Sequence, residues 1–505
     1  MTLILKGHEY KYAVEQIMLA LFPKEKPQYS IDSISRSCDL IAESSLHYGD
    51  VYAQSITSIR HGRNASRGYA RVRRDRLTGK LTTDRLLQRI IKQSFYRAAA
   101  NLADASSVFA DAPPVWGSLT GIRPAHLASA ALSAGMSEKA TAKKMAEEYY
   151  VSPERAEMCV DAAQAALALK KTLSPRDIAI YIGIPFCPSR CAYCSFVSSS
   201  VEKSFDLVEP FAETLIREIG TAAETVRKLN LRVIAVYIGG GTPTSLPSET
   251  LEAIMRRLRT SFDLSNLREY TVEAGRPDTI TGEKLELIAR MGADRVCVNP
   301  QSTSSEVLAA IGRRHTPDDT LDAARMTRAA GLKLNMDVIA GLPRDTVAGF
   351  RSTLDTVLSL DPENITVHTL SLKKGSRIML ENTALPGGEA VSEMLGYASG
   401  SLRESGYAPY YLYRQKFSSG GFENTGWSLP GHPGIYNICM MEELCTVLSF
   451  GGGGVTKLIS FPVLQDGVDS GRIERIFNAK YPREYISGAD KINEKMKKLR
   501  LLFDD

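Results

Sequence analysis

The spacing of apolar positions changes along the chain, and the clearest pattern lies between residues 175 and 372. Short apolar runs rich in β-branched residues begin near Ile178, Val233, Tyr270, Arg295, Leu332 and Asn364. The gaps between them carry apolar residues at helical spacing, as in Phe205 to Leu229 and Ser248 to Phe262. Strands that alternate with helices predict repeated βα units and a parallel sheet, with ligands at the carboxyl ends of the strands.

Ahead of this region the pattern changes twice. Residues 1–112 read as a small α/β domain, with one strand, a helix near Glu9 to Leu21, a strand-like run from Val51 to Ile59, and a helix over Thr82 to Leu102. Residues 113–174 read as helical, with alanine-rich runs broken at Gly135 and Pro153. Beyond Leu372 the alternation stops, and residues 373–505 are expected to form an α+β domain that covers the substrate. There, Ala390 to Ser405 predicts a helix and Tyr407 to Lys416 a tyrosine-rich strand. The stretch GGFENTGWSLPGHPGIYN, 420–437, predicts a loop suited to a lid or a substrate wall. Within Met440 to Lys457, Gly451 to Gly454 are expected to follow an apolar helix.

Composition changes this picture little. A chain of 505 residues has room for two or three cores, and 44% hydrophobic with 24% charged residues excludes a disorder-dominated protein. The apolar N-terminus is interrupted by His8, Glu9, Lys11 and Glu15, so neither a signal peptide nor a membrane span is expected, and a cytoplasmic setting follows. In that setting Cys38, Cys159, Cys297, Cys439 and Cys445 are expected to be buried, reduced thiols.

A net charge of +5 is slight and does not imply a nucleic-acid partner. Its distribution is uneven, however. Between Ile59 and Lys80 stand Arg60, Arg63, Arg67, Arg71, Arg73, Arg74, Arg76 and Lys80, with Asp75 the one acid. Such a run is most often a solvated hairpin or helix face. An anionic substrate, an acidic electron-donor protein or RNA are the functional alternatives.

The chemistry is concentrated after the first strand of the alternating region. The run Ile178 to Ile184 is stopped by Pro185, and Cys187, Cys191 and Cys194 follow in the spacing C-x3-C-x2-C. Three thiolates in one short loop suit a [4Fe–4S] cluster, which normally takes four. No fourth cysteine is near, so one iron would stay open to a ligand. A zinc site would bring a second ligand pair, and a disulfide suits an exported chain, so both fit less well.

Other polar residues fall at strand ends. Gly239, Gly240, Gly241, Thr242, Pro243 and Thr244 follow the second strand, where glycines let backbone amides approach a ligand; a tight βα turn is the alternative. Glu273 ends the third strand and either meets a nucleoside or pairs with Arg276. The fourth strand ends at Asn299 and Gln301, Arg313 stands beyond it, and Asp337 interrupts the apolar fifth strand. A carboxylate in a core strand needs donors or a cation, which marks Asp337 as a ligand or network residue.

The run YIGIPFCPSRCAYCSF, 181–196, resembles the signature of the radical S-adenosylmethionine enzymes, and within them the oxygen-independent coproporphyrinogen III dehydrogenase family. WGSLTGIRPAHLA, 116–128, resembles a motif of the HemZ-like branch of that family. The resemblance implies an α/β fold: an incomplete (β/α)6 barrel with an N-terminal α/β-helical extension and a C-terminal α+β domain. It implies a [4Fe–4S] cluster on Cys187, Cys191 and Cys194, with S-adenosylmethionine on the open iron as the source of a 5′-deoxyadenosyl radical. Tyr181, Gly240 and Glu273 match positions around that S-adenosylmethionine. Gly241, Thr242, Gln301, Arg313 and Asp337 match positions around a second one. Tyr193 matches an aromatic residue packed near the cofactors, and Tyr181 and Tyr193 are the candidates for catalytic roles.

The implied reaction is oxidative decarboxylation of two propionates of coproporphyrinogen III to vinyl groups, with electrons from a flavodoxin- or ferredoxin-type donor. A tetrapyrrole substrate would be walled by Tyr410, Tyr411, Tyr413, Phe417 and Trp427, and its propionates met by Arg313, Arg314 or the N-terminal arginines. Two departures stand out: Gly183 replaces a histidine, and Phe196 replaces a further cysteine. A second reading is a heme-binding or heme-delivery protein, whose relatives carry a His-Asn pair where this chain has Tyr436-Asn437; His432 would be its axial ligand. A third is a radical enzyme acting on RNA or another tetrapyrrole.

Overall fold

Six parallel strands lie side by side in chain order: Asp177–Ile184, Arg232–Gly240, Glu269–Glu273, Arg295–Cys297, Lys333–Ala340 and Asn364–Thr369. The computed structural model describes residues 1–30, 40–103, 114–194, 199–371, 376–381, 383–415, 421–460, 473–488 and 491–503. Nearly every position along these strands is buried, on both faces, which is why they read as nearly unbroken apolar runs. The helices Val208–Lys228, Ser248–Ser261, Gly282–Arg290, Pro317–Ala329 and Val347–Ser359 return the chain between them. The first of these buries Phe211, Leu215, Ile219 and Val226 on one face.

Local sequence starts the helices at defined points. Thr281, Ser304, Thr316 and Thr346 each accept a backbone N–H of the helix they precede, and Thr316 with Asp319 completes a capping box. Each such cap contributes about 1 kcal/mol.

The C-terminal chain extends this sheet on both sides, giving eleven strands in one sheet. Glu423–Ser428, expected as part of a loop, is a buried strand antiparallel to Asn364–Thr369, with Ala408–Arg414 beyond it. Thr369 of the sixth parallel strand donates its N–H to Asn424 Oδ1 at 3.0 Å and its hydroxyl to the Glu423 carbonyl at 2.7 Å, which offsets part of the cost of burying so polar a strand. On the opposite edge Thr446–Gly451, expected as an apolar helix, is a strand parallel to Asp177–Ile184. Its β-branched and aromatic residues suit the edge it covers. Val455–Ile459 and Ile473–Phe477 complete that side.

The glycine at 183 follows from this pairing. A Cβ there would collide with the Gly452 carbonyl oxygen, and one on Gly451, at φ +82°, would collide with the Gly183 carbonyl. No larger residue, histidine included, fits at 183 beside that strand.

The chain forms two compact units, one of residues 1–160, 387–392 and 414–422, the other of residues 161–386, 393–413 and 423–505. The first contains a five-stranded sheet, ordered Gln28–Tyr29, Thr2–Lys6, Leu40–Tyr48, Tyr52–His61 and Asn64–Arg73. The helices Lys11–Leu21 and Lys80–Ala103 cover one of its faces through a core of Leu3, Val14, Ile17, Leu21, Ile59, Ile91 and Phe95. The strand Leu40–Tyr48 escapes the sequence reading because its serines and glutamate interrupt the apolar pattern. The arginine-rich run is the hairpin of the last two strands and the turn after it, with Arg60, Arg67, Arg71 and Arg73 exposed. Helices Ala125–Ser133, Glu138–Tyr149 and Pro153–Lys170 follow.

No helix among the described residues is long and apolar enough to cross a membrane. Cys159, Cys297, Cys439 and Cys445 are buried and joined in no disulfide, and Cys38 and Phe196 lie outside the described residues.

Candidate functional site

Each parallel strand ends near polar side chains that alternation places on the inner face. The first strand delivers the cysteine loop. Ala192 N donates to the Ile311 carbonyl at 2.9 Å and Arg377 N to the Ala192 carbonyl at 3.0 Å, so the loop is fixed from both sides. Ala192 packs in a cluster with Val307, Leu308, Ile311 and Leu342, and Tyr193 lies against it. Cys187, Cys191 and Cys194 are partly exposed and joined in no disulfide.

The glycine turn closes on this loop. Gly241 N donates to the Ile184 carbonyl at 2.6 Å and Thr242 N to the Phe186 carbonyl at 2.7 Å. A Cβ on residue 241 would lie 2.9 Å from Cys187 Sγ and collide with the Phe186 carbonyl. Gly240 has φ +106°, a conformation open to glycine. The Thr242 hydroxyl is 3.5 Å from Cys187 Sγ.

Arg276 is not the partner of Glu273. Its guanidinium pairs with Asp278 through Nε at 3.1 Å and Nη2 at 3.1 Å, and its Nη1 lies 3.7 Å from Cys191 Sγ. Glu273 is instead held by the Tyr237 hydroxyl and by Asn299 Nδ2 at 3.0 Å. Burial, with the negative charge of Asp337 adding to it, pushes the Glu273 carboxyl up to about 7 against those hydrogen bonds. Asp337 accepts from Asn335 Nδ2 at 3.0 Å and faces His368 Nε2 at 3.4 Å.

Three tyrosine rings form a stack beside these acids. Tyr181 lies 6.3 Å from Tyr237 and 5.9 Å from Tyr436, and Tyr237 lies 4.6 Å from Tyr436, centroid to centroid. Burial raises all three phenols above their usual range, so they stay neutral.

Arg313 ties the fourth strand to the cysteine loop. Its guanidinium donates to the Gly275 carbonyl at 3.2 Å, to the Asn299 carbonyl, and to the Tyr193 hydroxyl at 3.0 Å. Gln301 sits at φ +67°, an uncommon conformation for its residue type and one that collects at functional sites. Its Oε1, the Asn299 Oδ1 and the Arg313 Nε are buried polar atoms with no protein partner. Orphaned groups of this kind cost about 1–3 kcal/mol each unless a ligand or water meets them. Together with the glycine cradle they fit a polar, nucleoside-sized ligand.

Among the described residues no three His, Cys, Asp or Glu side chains converge on the position of a single ion. A cubane takes each thiolate on a different iron, so its three cysteines stand apart around it. Cys187, Cys191 and Cys194 are thus the residues that could hold such a group.

The sequence reading missed several members of the site. Tyr237, Asn335 and His368 are polar positions in apolar strands, the same signal that marked Asp337. Asn424 carried no signal, because the strand that bears it was not foreseen, and Tyr436 was noted only as the residue before Asn437. Asn424 Oδ1 accepts Thr369 N at 3.0 Å and faces His368 Nδ1 at 3.2 Å.

Of the aromatic residues expected to wall a pocket, Tyr410, Tyr411 and Trp427 are buried core residues. Tyr410 and Tyr411 pack with Ala166 and Ile438, and Phe417 lies outside the described residues. Tyrosines in a paired strand serve as packing surface here. His432 is part-buried, and its carbonyl accepts from Arg295 at 3.1 Å and Asn364 at 2.7 Å.

Residues 181–357 match the radical SAM superfamily. Over 396 residues the chain is 39% identical to the oxygen-independent coproporphyrinogen-III oxidase-like protein HemZ of Bacillus subtilis, an alignment covering 77% of this chain and 78% of that protein. It is 25% identical over 315 residues to the heme chaperone HemW of Escherichia coli, covering 62% of this chain and 76% of the chaperone. Among solved structures, Escherichia coli coproporphyrinogen III oxidase (HemN), titled a radical SAM enzyme, aligns with a TM-score of 0.49 at 20% identity over 66% of this chain and 73% of that one.

Proposed function

Because this chain belongs to the radical S-adenosylmethionine family of oxygen-independent coproporphyrinogen-III oxidase-like proteins, we propose that it converts two propionates of coproporphyrinogen III into vinyl groups, yielding protoporphyrinogen IX. The observation that carries this reading is the packing of the glycine turn onto the cysteine loop, where a side chain at 241 would meet Cys187. It sets a backbone cradle for a nucleoside beside three thiols.

Cys187, Cys191 and Cys194 would hold a [4Fe–4S] cluster, and Gly240 with Glu273 would meet the S-adenosylmethionine bound to it. When bound, these groups supply radical abstraction of a hydrogen atom from a propionate β-carbon, which with loss of one electron and carbon dioxide leaves the vinyl group. A flavodoxin- or ferredoxin-type protein is the fitting electron donor.

The chain's own residues bind, orient and exclude water. Tyr181 forms one wall with Tyr237 and Tyr436, a dry surface against which a ribose or adenine would lie. Glu273 becomes a full acceptor for ribose hydroxyls or an amino group once deprotonated. Gly241, Thr242, Gln301, Arg313 and Asp337 supply the amide, hydroxyl, guanidinium and carboxylate groups that a second S-adenosylmethionine would need. Tyr193, held by Arg313, would pack between the cofactors.

The test is anaerobic. The reconstituted protein receives S-adenosylmethionine, reductant and coproporphyrinogen III, and tetrapyrrole products are followed by mass spectrometry. Loss of two carboxyl groups, abolished by Cys187→Ser, Cys191→Ser or Cys194→Ser, is expected. Deoxyadenosine without tetrapyrrole change would remove the substrate and keep the chemistry. The similarity to heme chaperones favours a second reading as a heme carrier, and tight heme binding with neither product would select it.

A further inference from the structure

We propose that Arg276 is a positioning residue for electron entry: through its hydrogen bond to Cys191 it raises the reduction potential of the cluster held by the cysteine loop. The inference rests on the reading above that Cys187, Cys191 and Cys194 carry a [4Fe–4S] cluster.

Arg276 is 2% exposed, and burying a guanidinium costs several kcal/mol unless it is paired. Asp278 offsets that cost with a two-point contact to Nε and Nη2. This fixes the plane of the guanidinium and leaves Nη1 directed at the cysteine loop. There it meets Ser189 Oγ at 3.2 Å, the Ser189 carbonyl at 3.4 Å and Cys191 Sγ at 3.7 Å. Pro277, at the start of the short helical turn Pro277–Thr279, stiffens the backbone that carries it.

The other charged and titratable groups facing the loop leave this role to Arg276. Arg313 also interacts with Cys191, but its Nη1 is directed at the Gly275 and Asn299 carbonyls and its Nη2 at the Tyr193 hydroxyl, while its Nε meets no protein group. The Tyr193 hydroxyl accepts from Arg313 Nη2 at 3.0 Å and brings no cation to the loop. His315 is pushed down to about 4 by burial and then by Arg313, so its ring is uncharged at neutral pH. Cys187 receives the neutral Thr242 hydroxyl.

One-electron reduction adds a negative charge that spreads onto the ligating sulfurs. A fixed cation hydrogen-bonded to one of them stabilises the reduced form more than the oxidised form. The same contact biases the charge of the cluster toward Cys191.

The experiment is an anaerobic redox titration of the reconstituted full chain, followed by electron paramagnetic resonance, for wild type, Arg276→Gln and Arg276→Lys, with iron content measured for each. Arg276→Gln should lower the ratio of reduced to oxidised cluster at fixed potential at least tenfold, which is a shift of about 59 mV for a one-electron couple. Arg276→Lys keeps the charge and should recover most of that shift. An unchanged potential in Arg276→Gln at wild-type iron content overturns the proposal. So does failure of both variants to assemble a cluster that wild type assembles, since Arg276 would then serve assembly. A wild type that binds no iron overturns the proposed function itself, and this inference with it. A wild type that cleaves S-adenosylmethionine beside an unmoved Arg276→Gln overturns this inference alone.

Discussion

Arg313 Nη2 donates to the Tyr193 hydroxyl at 3.0 Å across 120 residues of sequence. The loop of three cysteines is thereby fastened to the segment that follows the fourth parallel strand. Arg313→Lys keeps the charge but loses the planar fork that serves Tyr193, Gly275 and Asn299 at once. It should cost about 1–3 kcal/mol in urea unfolding and weaken S-adenosylmethionine binding in calorimetry. Tyr193→Phe, which removes one hydrogen bond and keeps the ring, should cost about 1 kcal/mol.

Glu273 provides a pH signature. Its folded-state pKa of about 7 exceeds the ordinary glutamate value near 4.5, so the folded state holds its proton more tightly. The stability this contributes is present at low pH and is lost as pH rises through about 7. At about 1.4 kcal/mol per pKa unit the ionised carboxylate costs on the order of 3 kcal/mol at pH 8. Glu273→Gln should therefore match wild type near pH 4 and exceed its stability by about 1–3 kcal/mol at pH 8. Equal stability differences at both pH values would rule out a buried, proton-bearing Glu273.

Two glycines make a matched pair of tests. Gly241→Ala forces a Cβ to 2.9 Å from Cys187 Sγ. Reconstituted iron content should fall severalfold, and stability by about 1–3 kcal/mol. Gly282→Ala, in the first turn of a helix with open space around it, should leave iron content unchanged and stabilise by about 0.4–1 kcal/mol.

A buried ion pair anchors the C-terminal helix Lys491–Phe503. Lys495 Nζ lies 2.9 Å from Glu218 Oε1 and 2.7 Å from the Ser449 carbonyl, while Glu218 also accepts from Gly451 N at 2.9 Å and from the Tyr485 hydroxyl. Lys495→Met leaves a buried carboxylate without its cation and should cost about 3–5 kcal/mol. The double variant Lys495→Met with Glu218→Gln should cost less than the single one. Melting temperatures of the three proteins check this.

The sequence disclosed those parts of the fold whose pattern is set by one dominant force. The six parallel strands are buried on both faces, so Ile178 to Ile184 or Leu332 to Ala340 reads as strand whatever else the chain does. The cysteine loop and Gly239 to Gly241 were legible because each spacing answers one chemical need. Glu423–Ser428 was not, since a strand whose side chains face a polar interior has the composition of a loop. Thr446–Gly451 was misread because a short apolar run has no period of its own, and the neighbouring helix Ile435–Glu442 lent it one. The partner of Glu273 was equally hidden: Arg276 is three residues away in sequence, but its Pro277 turn directs it at Cys191.

The strand Thr446–Gly451 also has a consequence for how the protein is made. It pairs with a strand that starts at Asp177, 269 residues earlier (446 − 177). At roughly 5–20 residues per second, a ribosome needs on the order of 13–54 s to cover that distance. During that interval the strand that leads into Cys187 has its second-strand neighbour but an open outer edge, apolar and able to accept a foreign strand. That edge stays open until Thr446–Gly451 has emerged and paired with it.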